Sequence, residues 1–250
     1  VYALVMGSAM SMTEEQLINL TVAGILHDIG KFDVKKRVLN SKKIYDDTME
    51  EYSKAKGVDA EVSYTDGVTQ SKISFAYNLE NDKIKELAYV VYNEQGELSI
   101  YVKDNKAYMN AYGTKTVADM SDEDYANFAE KYTFAAAVKE INMLFGYTFF
   151  NASELKESTA EKVKLSCDLT KLEADPALDE VAFFEMEENI EKLQAKKALD
   201  VEFNYADGKM TKFVGTVTEQ DDSTKTFTVE FKGISANITF PDLTGYAKAE

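Results

Sequence analysis

The hydrophobic pattern of the chain changes near residue 43. Before that point apolar residues recur at the spacing of one helix face, and they include Leu17, Leu20, Ala23 and Leu26. The stretch Thr13-Glu14-Glu15-Gln16 is typical of a helix N-terminus, and Gly30 is typical of a helix end. We therefore expect a short helical segment over residues 1–43.

From about Val58 onward, apolar and polar residues alternate, which is the period of a half-buried strand. Ile73, Phe75 and Tyr77 show this alternation clearly. Turns rich in Asn, Asp and Gly, as at 93–96, 104–105 and 207–208, separate such runs, because these residues tolerate positive φ. The further strands that we expect cover residues 87–91, 98–102, 107–110, 163–169, 200–205, 210–218, 224–231 and 236–240.

Two helices are expected within this β region. One follows the acidic run Ser121–Asp124, and the other begins at Asp175-Pro176 and ends near Lys197. The sequence thus predicts an α+β fold, in which a short N-terminal helical segment precedes a curved antiparallel sheet packed with two helices. The expected domains are residues 1–43 and residues 44–250.

Composition excludes several classes of partner. The 250-residue chain is 45% hydrophobic, which is enough for a core, and its net charge of −16 argues against nucleic acid and anionic membranes. No apolar run is long enough to span a bilayer. Cys167 is the only cysteine, so it forms no internal disulfide, and its surroundings indicate a strand residue.

The clearest chemical motif is His27-Asp28-Ile29-Gly30-Lys31. A neighbouring imidazole and carboxylate at a helix end can ligate one divalent metal, which acidifies a bound water, while a lysine contacts phosphate. The structural alternative is a hydrogen-bonded His-Asp pair at a helix C-terminus, where a cation is favoured.

The wider stretch Leu20–Lys43, with Leu26–Lys31, Val38-Leu39 and Lys42 as its matching positions, resembles the HD-GYP family of metal-dependent cyclic-dinucleotide phosphodiesterases. This resemblance implies that His27 and Asp28 are metal ligands for manganese or iron. It also implies that Lys31 is the catalytic residue that contacts the substrate phosphate.

The chain departs from that family in its remaining ligands. The family requires further histidines and a Gly-Tyr-Pro signature, whereas His27 is the only histidine here and neither Pro176 nor Pro241 follows Gly-Tyr. A catalytic metal takes at least three protein ligands in the usual sites. We therefore interpret residues 1–43 as a truncated domain whose metal site needs a partner chain, and we expect no cofactor without one.

Two runs in the remaining region, Leu98–Asn110 and Ile238–Leu243, resemble extracytoplasmic bacterial lipoproteins of the LolA- and LppX-like type. The resemblance implies a curved antiparallel sheet that folds over helices and encloses an apolar ligand. Residues 44–250 are then extracytoplasmic, whereas the HD-GYP-like segment implies a cytoplasmic location.

Two clusters of side chains leave alternatives open. The aromatic groups at 145–150 and 183–184 either line an apolar pocket under the sheet or form an ordinary core. The acidic groups at 119–124, 185–188 and 221–222 lack the spacing of a calcium loop, and they are typical of helix N-termini and solvated surfaces.

Two functions of different class follow from these observations. The first is a non-catalytic binding or structural protein that holds an apolar small molecule under the sheet. The alternative is a metal-dependent phosphohydrolase fragment, a cyclic-dinucleotide phosphodiesterase of the HD-GYP type. The single histidine favours the first.

Overall fold

The computed structural model describes residues 35–139, 148–174, 189–234 and 236–248. The chain divides into two compact units, Val1–Lys42 and Lys43–Glu250. In the first unit, residues 35–42 are helical. The Ser41 hydroxyl donates to the Arg37 carbonyl of the same helix at 3.0 Å. The helix continues without a break to residue 54, and we call its part in the second unit, residues 43–54, helix α1.

One curved, open sheet forms the second unit, and within the described residues it has twelve strands in the order β12-β6-β5-β4-β3-β2-β1-β11-β10-β9-β8-β7. All neighbours are antiparallel except β12 and β6, which are parallel. The strands are β1 (Gly57–Thr65), β2 (Gln70–Glu80), β3 (Lys83–Asn93), β4 (Gly96–Lys103), β5 (Lys106–Ala111), β6 (Thr114–Asp119), β7 (Ser153–Ser158), β8 (Lys162–Asp168), β9 (Ala198–Ala206), β10 (Lys209–Thr218), β11 (Thr224–Gly233) and β12 (Ala247–Lys248).

The described helices of this unit are short. They are α1, α2 (Asp122–Lys131), α3 (Phe134–Ala137), α4 (Phe149–Ala152), a 3-10 turn (Leu169–Lys171) and α5 at residues 189–194. Helix α2 begins where the sequence predicts, because Ser121 and Asp124 form a reciprocal capping box.

The strands form two meanders, β1–β6 and β7–β11. Short turns connect successive strands in each, except between β8 and β9, where residues 169–197 intervene. Asp104 and Asn105 both have positive φ, as do Asp207 and Gly208, which matches the type of turn that Asn, Asp and Gly favour. Strand β11 then returns to pair with β1, through partners such as Val229 and Val62. The two meanders therefore form one continuous sheet.

The core lies on the face of the sheet that the helices cover, which we call the inner face. Tyr45 of α1 packs against Phe203 and Phe213, with ring centroids 6.0 and 5.8 Å apart. Farther along α1, Tyr52 packs against Phe134 of α3 and Phe231 of β11 at 5.2 and 5.0 Å. Aromatic burial therefore attaches the helices to the sheet.

The structure confirms the predicted α+β fold with a curved antiparallel sheet, but one predicted strand is wrong. Residues 236–240 have no regular secondary structure. Phe240 packs instead on the opposite, outer face of the sheet, where its ring centroid lies 6.5 Å from that of Tyr101. The Ala236 carbonyl accepts from the Asn78 side chain and not from a neighbouring strand. Of the predicted helix 175–197, residues 175–188 lie outside the described part.

Substitution of Phe134 tests how much the aromatic core contributes to the stability of the fold. It is fully buried against Tyr52, Phe75 and Phe231, so we expect Phe134→Ala to lower the free energy of unfolding by about 3–5 kcal/mol in urea titration. Val68→Ala is the control, because Val68 is 87% exposed and should change stability by less than about 0.5 kcal/mol. Equal effects of the two variants would contradict this assignment.

Candidate functional site

The predicted metal ligands His27 and Asp28 and the predicted phosphate contact Lys31 lie outside the described residues. Their roles therefore stay predictions. Within residues 35–139, 148–174, 189–234 and 236–248, no group of three or more His, Cys, Asp or Glu side chains could hold a metal ion. In the same ranges, no helix is both long and apolar enough to cross a membrane.

The inner face carries a continuous line of apolar side chains that crosses eight strands, and we call it the inner row. Its members are directly opposite one another in successive strand pairs, so the register of the sheet places them at one level. None of them is charged. From β8 to β4 they are Val163, Phe203, Phe213, Val229, Val62, Ile73, Val91 and Leu98.

The half of the inner row on β8–β11 is covered. Phe203, Phe213 and Val229 are fully buried. Tyr45 lies edge-on against both phenyl rings, and Phe150 stacks on Phe203 at 6.1 Å. This half is ordinary core. Of the aromatic clusters with two open interpretations, only Phe149 and Phe150 are described, and both are buried. Residues 145–147 and 183–184 lie outside the described part.

The half on β1–β4 is not fully covered. Val62, Ile73, Val91 and Leu98 are only half-buried, and Tyr64, the next inner-face residue on β1, is 38% exposed. Three spacings of about 4.8 Å separate β1 from β4, so this open part extends roughly 14 Å across the strands. Within the described residues, the inner face thus carries an apolar strip that is only partly covered.

Ionisable groups near the covered half are held neutral. Burial is the main cause that raises the pKa of the Cys167 thiol to about 11, with a smaller contribution from the Asp168 carboxylate. Burial also raises the pKa of the Tyr45 phenol well above its ordinary value. Both groups are uncharged at neutral pH, which leaves these positions electrically neutral.

The outer face carries partly exposed ion pairs. Glu61 lies 2.7 Å from Lys72 and 3.0 Å from Lys232. Burial opposes ionisation of Glu61, but the two lysines outweigh it and lower the pKa of this carboxyl. Two shallow grooves on this face have volumes of about 540 and 460 Å³, and their linings include Ser63, Lys72 and Glu202.

A C-terminal segment, residues 236–248, crosses the outer face over the first meander. Its Phe240 contacts Tyr101, and its Tyr246 meets Tyr108 edge-on at 5.5 Å. The segment ends as β12 beside β6. It therefore covers apolar surface on the face opposite the inner row.

The acidic groups that are described act as caps and ion pairs. The Asp124 carboxylate accepts from the Ser121 backbone at the start of α2, and the Asp221 carboxylate accepts from the Ser223 backbone in a turn. Asp222 pairs with Lys197. This agrees with the expectation of helix N-termini and solvated surfaces.

The sequence pattern predicts strands that belong to the open strip, but not the strip itself. Alternation placed Ile73, Phe75 and Tyr77 on one face, and residues 87–91 and 98–102 were expected as strands. What it lacked was the register, because only the pairings Val62–Ile73, Ile73–Val91 and Val91–Leu98 bring these residues to one level. Turn lengths and bulges set that register.

No protein-family model and no curated protein matches the chain. Similar solved structures include LprF from Mycobacterium bovis, at 10% identity and a TM-score of 0.39, covering 81% of this chain and 96% of that one. The MucA/MucB complex of Pseudomonas aeruginosa matches at 9% identity and a TM-score of 0.34, covering 78% of this chain and 58% of that one. LolA superfamily protein NE2245 from Nitrosomonas europaea matches at 9% identity and a TM-score of 0.22, covering 80% and 94%.

The last of these structures is of the LolA type that the sequence of residues 44–250 resembles. These identities and TM-scores are too low to carry a function over to this chain.

The buried thiol gives a test of the inner face. A pKa of about 11 in place of 9.0 for Cys167 leaves about a hundredfold less thiolate at pH 8. We expect the native protein to react with a thiol reagent at least about a hundredfold more slowly than the urea-unfolded chain. Ser166→Cys in a Cys167→Ser background is the matched control, since residue 166 lines an outer-face groove. Equal reaction rates of thiols at positions 167 and 166 would contradict the burial of the Cys167 side chain.

Proposed function

We propose that this chain is a non-catalytic binding protein that holds an apolar ligand, such as an acyl chain, along the open part of the inner row. The observation that carries the proposal is the half-buried strip Val62, Ile73, Val91 and Leu98, aligned in register across four strands. Soluble domains rarely leave contiguous apolar surface uncovered without a partner for it.

The shape and chemistry of the strip favour an extended, unbranched ligand. A strip of roughly 14 Å lined by aliphatic side chains offers contact along its length, and each methylene removed from water contributes about 0.8 kcal/mol. The neighbouring Tyr64 and Tyr89 hydroxyls could orient a polar end.

Charge selects among apolar ligands. The net charge of −16 disfavours anionic headgroups through long-range repulsion. We therefore propose a ligand with a neutral headgroup. An extracytoplasmic location agrees with this function and with the resemblance of residues 44–250 to extracytoplasmic lipoproteins.

Binding of a fluorescent apolar probe tests the proposal. We expect N-phenyl-1-naphthylamine to fluoresce more strongly with the protein, and neutral monoacylglycerols to displace it. Val91→Glu places a carboxylate in the strip, so we expect about tenfold weaker probe binding or more. Val90→Glu is the matched control, because Val90 is also half-buried and its side chain lies on the outer face.

The two variants must both be folded, which circular dichroism and thermal melting establish. Unchanged probe affinity in Val91→Glu, or an equal loss in Val90→Glu, would place the ligand elsewhere and end the proposal.

The alternative function, an HD-type phosphodiesterase fragment, predicts bound metal. His27 is the only histidine of the chain, and the two ligands His27 and Asp28 are too few for a catalytic metal site. We therefore expect no stoichiometric manganese or iron by elemental analysis of the purified protein. Asp28→Ala is the comparison. Stoichiometric metal in the wild type that this variant loses would mean that other carboxylates or a partner chain complete the site, and the phosphodiesterase alternative would be favoured.

A further inference from the structure

We infer that Gly215 and Phe227 together keep the apolar strip open: the absence of a side chain at Gly215 lets the Phe227 ring lie over β10 and away from the strip. This inference rests on the proposed function and assigns to these two residues the control of ligand access. Neither residue is part of the strip itself.

The register places Phe227 at the end of the covered half. It is opposite Gly215 of β10 on one side and opposite Tyr64 of β1 on the other. All three residues belong to the inner face. Each is the next inner-face residue along its strand from a member of the inner row, on the side of the hairpin that joins β1 and β2. The direction in which the Phe227 ring points therefore decides whether the surface beside Tyr64 and Val62 is open.

The ring points toward Gly215. A Cβ atom at Gly215 would lie 2.2, 2.6 and 2.8 Å from the Cζ, Cε1 and Cε2 atoms of Phe227, which is closer than van der Waals contact permits. The same ring lies 5.6 Å from the Phe213 ring. Phe227 thus occupies the place of a side chain on β10 and joins the covered aromatic cluster.

Backbone geometry does not require glycine at this position. Gly215 is inside a strand, and its φ is not in the positive range that favours glycine. Glycine inside a strand weakens the sheet and marks a place where another group approaches closely. Here the approaching group is the Phe227 ring, so the residue has a packing reason that sequence alone does not reveal.

An alanine at residue 215 would force the ring to move. Aromatic side chains occupy only a few staggered rotamers, and Phe213 and Val229 fill the inner face on the covered side, where both are fully buried. The less crowded direction is toward β1, where Tyr64 is 38% exposed. A ring turned in that direction covers Val62 and shortens the strip.

The test measures binding of N-phenyl-1-naphthylamine to four proteins: wild type, Gly215→Ala, Gly215→Ala/Phe227→Ala and Gly245→Ala. We expect about tenfold weaker binding in Gly215→Ala and recovery to near the wild-type affinity in the double variant, which removes the displaced ring. Gly245→Ala is the matched control, because a Cβ atom there meets no atom within 4 Å, and its affinity should equal that of the wild type.

Each outcome separates this inference from the function on which it rests. Wild-type affinity in Gly215→Ala overturns the inference, as does a loss that the double variant fails to recover, since the defect then lies in the strand and not in the ring. If the wild type binds no probe, the proposed function fails, whatever the variants do. Circular dichroism at the assay temperature confirms that all four proteins are folded.

Discussion

Strand β1 pairs with β11, through partners such as Val62 and Val229, and this pairing joins two meanders that are separated along the chain. Each meander alone has a free edge at this point and a short apolar face. Joined, they align eight apolar side chains at one level, from Val163 on β8 to Leu98 on β4. Long-range pairing of this kind carries the entropic cost of closing a loop of more than 150 residues, and burial on the inner face offsets it.

The inner face is covered unevenly, and the proposed function depends on that difference. Tyr45 and Phe150 fill the side that carries Phe203 and Phe213, where close packing of aromatic rings stabilises the fold. The strip from Val62 to Leu98 has the same chemistry without the same cover. A ligand that completes this packing would gain the burial that the protein itself does not supply.

The outer face is organised by different forces. Ion pairs such as those of Glu61 with Lys72 and Lys232 are partly exposed and contribute little stability individually. The C-terminal segment adds apolar contacts there through Phe240 and Tyr246. Because the alternation of a strand sends neighbouring residues to opposite faces, Val90 and Val91 experience these two environments although they are adjacent in sequence.

The sequence by itself determined the α+β class, most strands, the turns at 104–105 and 207–208, and the start of α2 at Ser121, because alternation, positive-φ residues and capping are local. The His27–Lys31 motif was also visible locally, and its role stays a prediction. Only the tertiary structure decided that residues 236–240 lie flat on the outer face, that Val62, Ile73, Val91 and Leu98 form one strip, and that Gly215 accommodates the Phe227 ring. The strip and the Gly215 contact depend on the register between paired strands, and the position of residues 236–240 depends on contacts with residues far away in sequence, such as Tyr101. Neither is encoded in a local pattern.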